Sequence, residues 1–201
     1  MDTADGDADR QHRFAGVCVN PIHVPRAAAL LKNSSVRVVT VVGFPLGANS
    51  QASDIHEAAW ALQHGAEEVD MVIPIGLALA GQLEAVTERV AAVRRATQGA
   101  VLKVIIECGH FQGERLREVA RAARDAEPDY LKTATGFGPR GATVADVVLL
   151  REIAGVDIGV KASGGIRTAE DARRLLAAGA VRLGTSSGLT IARELERDVT
   201  F

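Results

Sequence analysis

Short β-branched runs recur along this chain at roughly 20- to 30-residue intervals, each followed by a longer stretch whose apolar residues return at helical spacing. That alternation confines the chain to parallel strands joined by helical crossovers, because parallel neighbours need a connection of a dozen or more residues. Seven strands are expected, at residues 15–20, 36–43, 68–73, 101–107, 129–134, 157–162 and 181–185. Several are almost wholly apolar, as strands covered on both faces are. Between them Ile55, Ala58, Ala59 and Leu62 form one helical stripe, and Leu83, Val86, Val90 and Val93 form another; both should cover the sheet. Gly65 and Gly179 close helical runs, while Thr168 with Asp171 reads as a capping box. An open doubly wound sheet and a (β/α) barrel both satisfy this pattern, and periodicity does not choose between them. Seven units is one fewer than a closed eight-stranded barrel requires, and the segment before Ala15 has no strand-like run.

Composition narrows the partners. With 201 residues, 47% of them hydrophobic and only 3% aromatic, the chain suits one α/β domain with a substantial core. A formal net charge of −2 supplies no field for a polyphosphate backbone, so nucleic acid is not expected as a partner. The densest basic cluster, Arg115, Arg117, Arg121 and Arg124, is interleaved with Glu114, Glu118 and Asp125 and reads as a solvated helix face. Cys18 and Cys108 have neither disulfide-framework nor metal-ligand spacing, which fits a reducing cytoplasm. Residues 1–13 read as an acidic, disordered leader rather than a signal peptide, and residues 14–201 as the folded domain.

Three charged residues stand inside otherwise apolar strands: Asp70, Lys132 and Lys161. Buried charge is costly unless it is paired or used, so each is either part of a structural ion pair or part of a site. At the C-terminal ends of parallel strands, inward side chains converge on one mouth. A lysine held there beside a second cation and partly desolvated can lose its proton near ~7–8 and attack a carbonyl as a neutral amine. Lys103 and Glu107 share a strand parity and are expected to support or pack beneath that mouth.

Glycines follow the charged strands. Thr135-Gly136 comes after Lys132, Gly164-Gly165 with Arg167 after Lys161, and Gly184 with Ser186 and Ser187 at the last strand. Helices begin just beyond the last two groups, so exposed backbone amides there could hold a phosphate. Thr135, Gly136, Gly164, Gly165, Arg167, Gly184, Ser186 and Ser187 are therefore the candidate phosphate-binding set.

The segments Cys18-Val19-Asn20-Pro21, Gly43-Phe44-Pro45-Leu46-Gly47, Glu68-Val69-Asp70-Met71-Val72, Leu102-Lys103-Val104-Ile105-Ile106-Glu107, Leu131-Lys132-Thr133-Ala134-Thr135-Gly136 and Val160-Lys161-Ala162-Ser163-Gly164-Gly165-Ile166-Arg167-Thr168 closely resemble the deoxyribose-phosphate aldolase family in order and spacing. The resemblance implies a TIM (β/α)8-type barrel, here without the family's first strand and N-terminal helix. It implies a class I aldolase, a lyase that reversibly cleaves 2-deoxy-D-ribose 5-phosphate to D-glyceraldehyde 3-phosphate and acetaldehyde in deoxynucleoside catabolism. No metal or cofactor is implied, and a cytoplasmic homodimer is. By position, Lys132 resembles the Schiff-base lysine, Asp70 the proton-transfer carboxylate and Lys161 the second lysine that depresses the nucleophile's pKa. Gly136, Gly164, Gly165, Ser186 and Ser187 fall where the family binds phosphate. Longer members end in a catalytically helpful tyrosine, whereas the single tyrosine here is Tyr130. An N-terminally truncated, weakly active or inactive sugar-phosphate-binding homologue is the alternative reading, and another phosphorylated aldol substrate is a third.

Overall fold

The structure, a computed structural model, describes residues 14–198; the expected acidic leader lies outside them. Seven parallel strands are present: β1 Gly16–Val19, β2 Arg37–Val42, β3 Glu68–Val72, β4 Val101–Ile105, β5 Tyr130–Lys132, β6 Gly159–Ser163 and β7 Arg182–Gly184. Their order in the sheet is the order in the sequence. A doubly wound sheet reverses direction at a switch point, so this unbroken progression selects the barrel-type winding that periodicity left open. Among the described residues β1 pairs only with β2 and β7 only with β6, leaving those two edges unpaired.

Each expected strand is found, shorter by one to three residues than its apolar run. Ladder pairing continues past several strand ends through single bonds, Ile106 N to Lys132 O at 2.8 Å and Cys108 N to Thr133 O at 2.8 Å. Between these two bonds the chain kinks at Glu107, which adopts a left-handed conformation with φ +42°. The apolar run therefore marks buried chain, of which regular strand is only the paired part.

Eight α-helices follow: α1 Val24–Leu31, α2 Gln51–Gln63, α3 Ile75–Leu79, α4 Leu83–Ala96, α5 Gly113–Arg124, α6 Val144–Ala154, α7 Ala169–Ala177 and α8 Gly188–Asp198. In α4 the expected stripe is observed, with Val86, Val90 and Val93 fully buried. In α2 the buried edge is Asp54, Ala58 and Ala61, rotated from the expected stripe so that Ile55, Ala59 and Leu62 are half-buried. The rotation follows from Asp54, which is drawn inward by Arg89 of α4 at 2.9 Å. The Thr168–Asp171 capping box is formed, and Thr143 with Asp146 makes a second one at the start of α6. On α5 each basic side chain is paired, Arg115 with Glu118, Arg117 with Glu152, Arg121 with Glu114 and Arg124 with Asp125, as a solvated face requires.

The main core lies between the strands and α4 to α7, built from residues such as Met71, Leu102, Ile105, Leu131, Val147, Leu150 and Val160. A smaller cluster, including Val19, Val24, Leu31 and Val38, seats α1 against β1 and β2. No described helix is long and apolar enough to cross a membrane.

Candidate active site

Strand register decides which side chains meet. Residues directly opposite across a parallel ladder point to the same face, and alternate residues along each strand share that face. Cys18 is opposite Val39, Val39 opposite Glu68, Asp70 opposite Lys103, Ile105 opposite Lys132, and Lys132 opposite Lys161, which is opposite Arg182. Cys18, Glu68, Asp70, Lys103, Lys132, Lys161 and Arg182 therefore share one face of the curved sheet. A residue slip in any strand would turn its charged members into the apolar layer beneath the helices.

The geometry brings the three expected residues into direct contact. Lys132 Nζ donates to Asp70 Oδ2 at 2.7 Å and Lys161 Nζ donates to the same oxygen at 2.6 Å. Lys103 Nζ donates to the other oxygen, Oδ1, at 2.8 Å. Asp70 and Lys103 are fully enclosed, while Lys132 and Lys161 retain 5% exposure each, enough to mark them as the members nearest the opening. Lys103, expected to support the mouth, does so by gripping the carboxylate.

Sequence reasoning did not single out two further members. Glu68 accepts Lys103 Nζ at 2.5 Å and both contacts of Arg182 Nη2, at 2.8 and 2.6 Å. Glu68 stood out in the sequence only as the first residue of the Glu68–Val72 segment. Arg182 gave no signal, because its partner is 114 positions away.

Burial by itself would raise the Asp70 carboxyl; the ammonium groups of Lys132, Lys161 and Lys103 overrule it and hold Asp70 far below the usual carboxylate range. Burial likewise opposes ionisation of Glu68, and hydrogen bonds from Arg182 and Lys103 lower it nonetheless. Lys161 is lowered, chiefly by burial, with Asp70 opposing and the Lys132 and Lys103 charges adding to the effect. Cys18, exposed by area yet crowded by neighbouring atoms, has its thiol raised first by desolvation and then by Asp70. Cys108 is buried and its thiol is raised by that burial, so it is inert packing.

The candidate phosphate residues divide by what already occupies them. The Thr135 hydroxyl and amide both donate to Glu107 Oε2, the hydroxyl by a short contact and the amide at 3.2 Å, and Phe137 N donates back to Thr135 Oγ1 at 3.0 Å. Thr135 thus shapes the loop after β5, and Glu107 anchors it. Gly136, Gly141 and Gly164 stack closely: an added Cβ on Gly164 would stand 3.1 Å from Gly141 Cα and 3.5 Å from Gly136 Cα. Gly164 and Gly165 have φ of +89° and +75°, a region open to glycine. The amides of Gly136, Gly164 and Gly165 donate to no other described residue.

At the helix ends the picture is narrower than expected from sequence. The start of α7 is already capped: Arg167 N and Thr168 N donate to Asp171 Oδ2 at 3.1 and 3.2 Å, and Ala169 N donates to Glu194 Oε2 at 2.7 Å. Its amides are spent on carboxylates, so the anion-binding capacity after β6 lies in the glycine pair rather than the helix terminus. The α8 start has no acidic residue in its first turn, and Ser186 and Ser187 lead into it. Gly184 has a different neighbour, since a Cβ there would stand 3.1 Å from Lys161 Cε; its bareness makes room for the lysine arm. Arg167 is exposed at the rim. Among the described residues no group of three or more His, Cys, Asp or Glu side chains is placed to hold a metal ion.

Comparison with known proteins agrees with this arrangement. Residues 10–194 match the family described as DeoC/LacD family aldolase. The chain is 48% identical over 185 residues to a deoxyribose-phosphate aldolase of Rhodospirillum rubrum, covering 92% of this chain and 78% of that one. It is 50% identical over 180 residues to a deoxyribose-phosphate aldolase of Deinococcus radiodurans, covering 90% and 82%. Among solved structures, an aldolase designated QR15 superposes with a TM-score of 0.92 at 38% identity, over 98% of this chain and 88% of that one. The tetrameric deoxyribose phosphate aldolase of Aeropyrum pernix does so at 0.88 and 32% identity, over 95% and 81%.

Proposed function

This chain belongs to the DeoC/LacD aldolase family, and on that premise we propose that it reversibly cleaves 2-deoxy-D-ribose 5-phosphate to D-glyceraldehyde 3-phosphate and acetaldehyde through an imine on Lys132. The observation that carries the reading is the sharing of one Asp70 oxygen by the Lys132 and Lys161 ammonium nitrogens in an enclosed pocket.

Attack on the substrate aldehyde requires an unprotonated amine. Four cations, Lys103, Lys132, Lys161 and Arg182, share two carboxylates, Glu68 and Asp70, so release of one proton relieves repulsion within the cluster. Lys132 and Lys161 donate to the same Asp70 oxygen, which gives a proton a direct route from one amine to the other. The neutral Lys132 amine adds to C1, and loss of water gives a protonated imine. A base then removes the C3 hydroxyl proton, the C2–C3 bond breaks, and its electron pair moves into the iminium to form an enamine. Glyceraldehyde 3-phosphate leaves as the aldehyde; the enamine takes a proton at C2, and water hydrolyses the resulting acetaldehyde imine. Asp70, acting through water, is the proton acceptor in this reading, and Lys161 keeps positive charge beside it.

The phosphate is assigned to the free amides of Gly136, Gly164 and Gly165, with Ser186, Ser187 and Arg167 at the rim. Thr135 and Gly184 act indirectly, one shaping the loop and the other leaving room for Lys161. Assembly as a cytoplasmic homodimer belongs to the same reading and is tested by light scattering, which should return twice the chain mass.

Borohydride reduction in the presence of acetaldehyde should add a two-carbon group at Lys132, and coupled detection of glyceraldehyde 3-phosphate should follow addition of deoxyribose 5-phosphate. A folded sample that forms no adduct rejects the mechanism. The edges of β1 and β7, unpaired among the described residues, favour one alternative, a weakly active or inactive sugar-phosphate-binding homologue. That alternative predicts ligand-induced thermal stabilisation without the adduct.

A further inference from the structure

The charge cluster continues past the groups the chemistry needs. Arg182 reaches from β7 across the concave face to Glu68 of β3; Glu68 holds Lys103; Lys103 holds Asp70 Oδ1; and Asp70 Oδ2 holds Lys132 and Lys161. Each link is a contact of 2.5 to 2.8 Å. Lys103 is fully buried between two carboxylates. With Glu68 absent, three lysines would crowd a single carboxylate, and Asp70 Oδ1 would be held by a cation with no other anion in contact.

We propose that Glu68 and Arg182 are a positioning pair for the aldol reaction: through Lys103 they fix the plane of the Asp70 carboxylate and set the charge balance felt by the reacting nitrogen of Lys132. The proposal rests on the aldolase reading of Lys132. Neither residue is required to touch substrate: Glu68 is two contacts away from Asp70 and Arg182 three.

Opposed charges in one pair make the proposal separable from a merely structural clasp. Groups facing the cluster are Cys18 on β1, Arg37 on β2 at 3.6 Å from Glu68, Glu68 and Asp70 on β3, Lys103 on β4, Lys132 on β5, Lys161 on β6 and Arg182 on β7. Removing the Glu68 charge leaves the lysines with one less anion and makes a proton easier to release. Removing the Arg182 charge takes away one cation and makes that proton harder to release. A unit charge about 10 Å away moves a titration by about 0.3 to 1 pH unit between water-like and protein-like screening. A clasp that only braces the fold would shift neither titration, or would loosen both variants alike.

The test is competitive acetylation of the full chain with acetic anhydride across pH, reading the Lys132 peptide by mass spectrometry. This readout needs no aldolase activity. The half-labelling pH of Lys132 should fall in Glu68→Gln and rise in Arg182→Met, each by about 0.3 to 1 unit, and should stay at the parent value in Arg182→Lys. Shifts of the same sign, or no shift in either variant, overturn the proposal. If Glu68→Gln does not fold, Arg182→Met against Arg182→Lys decides alone: absence of an upward shift in the methionine variant overturns it. Borohydride trapping of the parent in parallel keeps the two readings distinct, because a missing adduct rejects the aldolase reading while the labelling shifts still report on the pair.

Discussion

At the scale of single residues, function and stability pull on the same carboxylate. Asp70 is the common partner of three buried lysines, so Asp70→Asn should remove the proton acceptor and strand buried cations together. We expect kcat to fall by about 10²- to 10⁴-fold, and stability by about 3–5 kcal/mol, the typical cost of removing one partner from a buried ion pair. Steady-state kinetics and urea unfolding check the two parts separately. Lys161 should behave in the opposite way. Its ammonium is disfavoured by burial despite Asp70, so Lys161→Met should lose aldol activity yet melt at the parent temperature or above it. The sign follows from proton linkage: between the lowered folded value and ~10.4 the unfolded chain binds the proton that the folded chain does not, so parent stability rises with pH there. The melting advantage of Lys161→Met should therefore be widest at neutral pH and shrink as pH rises towards 10, as differential scanning calorimetry would show.

These residue-level features were also the most legible ones. A charge inside a nearly apolar run contradicts its surroundings, and Asp70, Lys132 and Lys161 announced themselves in that way. Thr135 and Gly184 stood out by a different pattern, the glycines that follow the charged strands, and their neighbours give them other work. A glycine and a hydroxyl carry little information until their contacts are known: Thr135 is committed to Glu107 and Gly184 lies against the Lys161 arm.

At the scale of elements, the loops after β5 and β6 form one unit. Ala142 N donates to Gly164 O at 3.0 Å, and a Cβ on Gly141 would collide with that same Gly164 carbonyl. Gly141→Ala should push the glycine pair away from the stacked arrangement that leaves its amides free. We expect KM for the phosphorylated substrate to rise by about tenfold, one charge-assisted hydrogen bond's worth, with a much smaller change in cleavage of an unphosphorylated analogue. Equal effects on both substrates would count against a phosphate site in these loops. Helix starts were only partly readable: Thr168 and Asp171 follow a local rule, whereas Glu194, capping α7 from α8, obeys none that acts within one element.

At the scale of the whole molecule, the unpaired edges and the depressed carboxylates leave measurable marks. Among the described residues, strands β3, β4 and β5 are paired on both sides, and β1 and β7 on one. Amide hydrogen exchange should be faster in β1 and β7 than in β3 and β4 by about tenfold or more. Both Asp70 and Glu68 have folded values below their unfolded ones, so their contribution is fully present above about pH 5 and is lost as pH falls through 4 and below. Melting temperature should be insensitive to these groups near neutrality and should drop on acidification. That acid limb should be shallower in Glu68→Gln.

What the sequence by itself determined is whatever is encoded within one strand or one helix: seven βα units, their parallel sense, the helical stripe of α4, and the three charged residues that no apolar strand would carry without purpose. Tertiary structure alone decided the spent amides at the start of α7 and the reach of Arg182 to Glu68, and it gave the barrel-type winding that the family resemblance implied but periodicity left open. Those depend on register and on contacts between residues up to 114 positions apart, and local spacing holds no record of which distant strand will lie opposite.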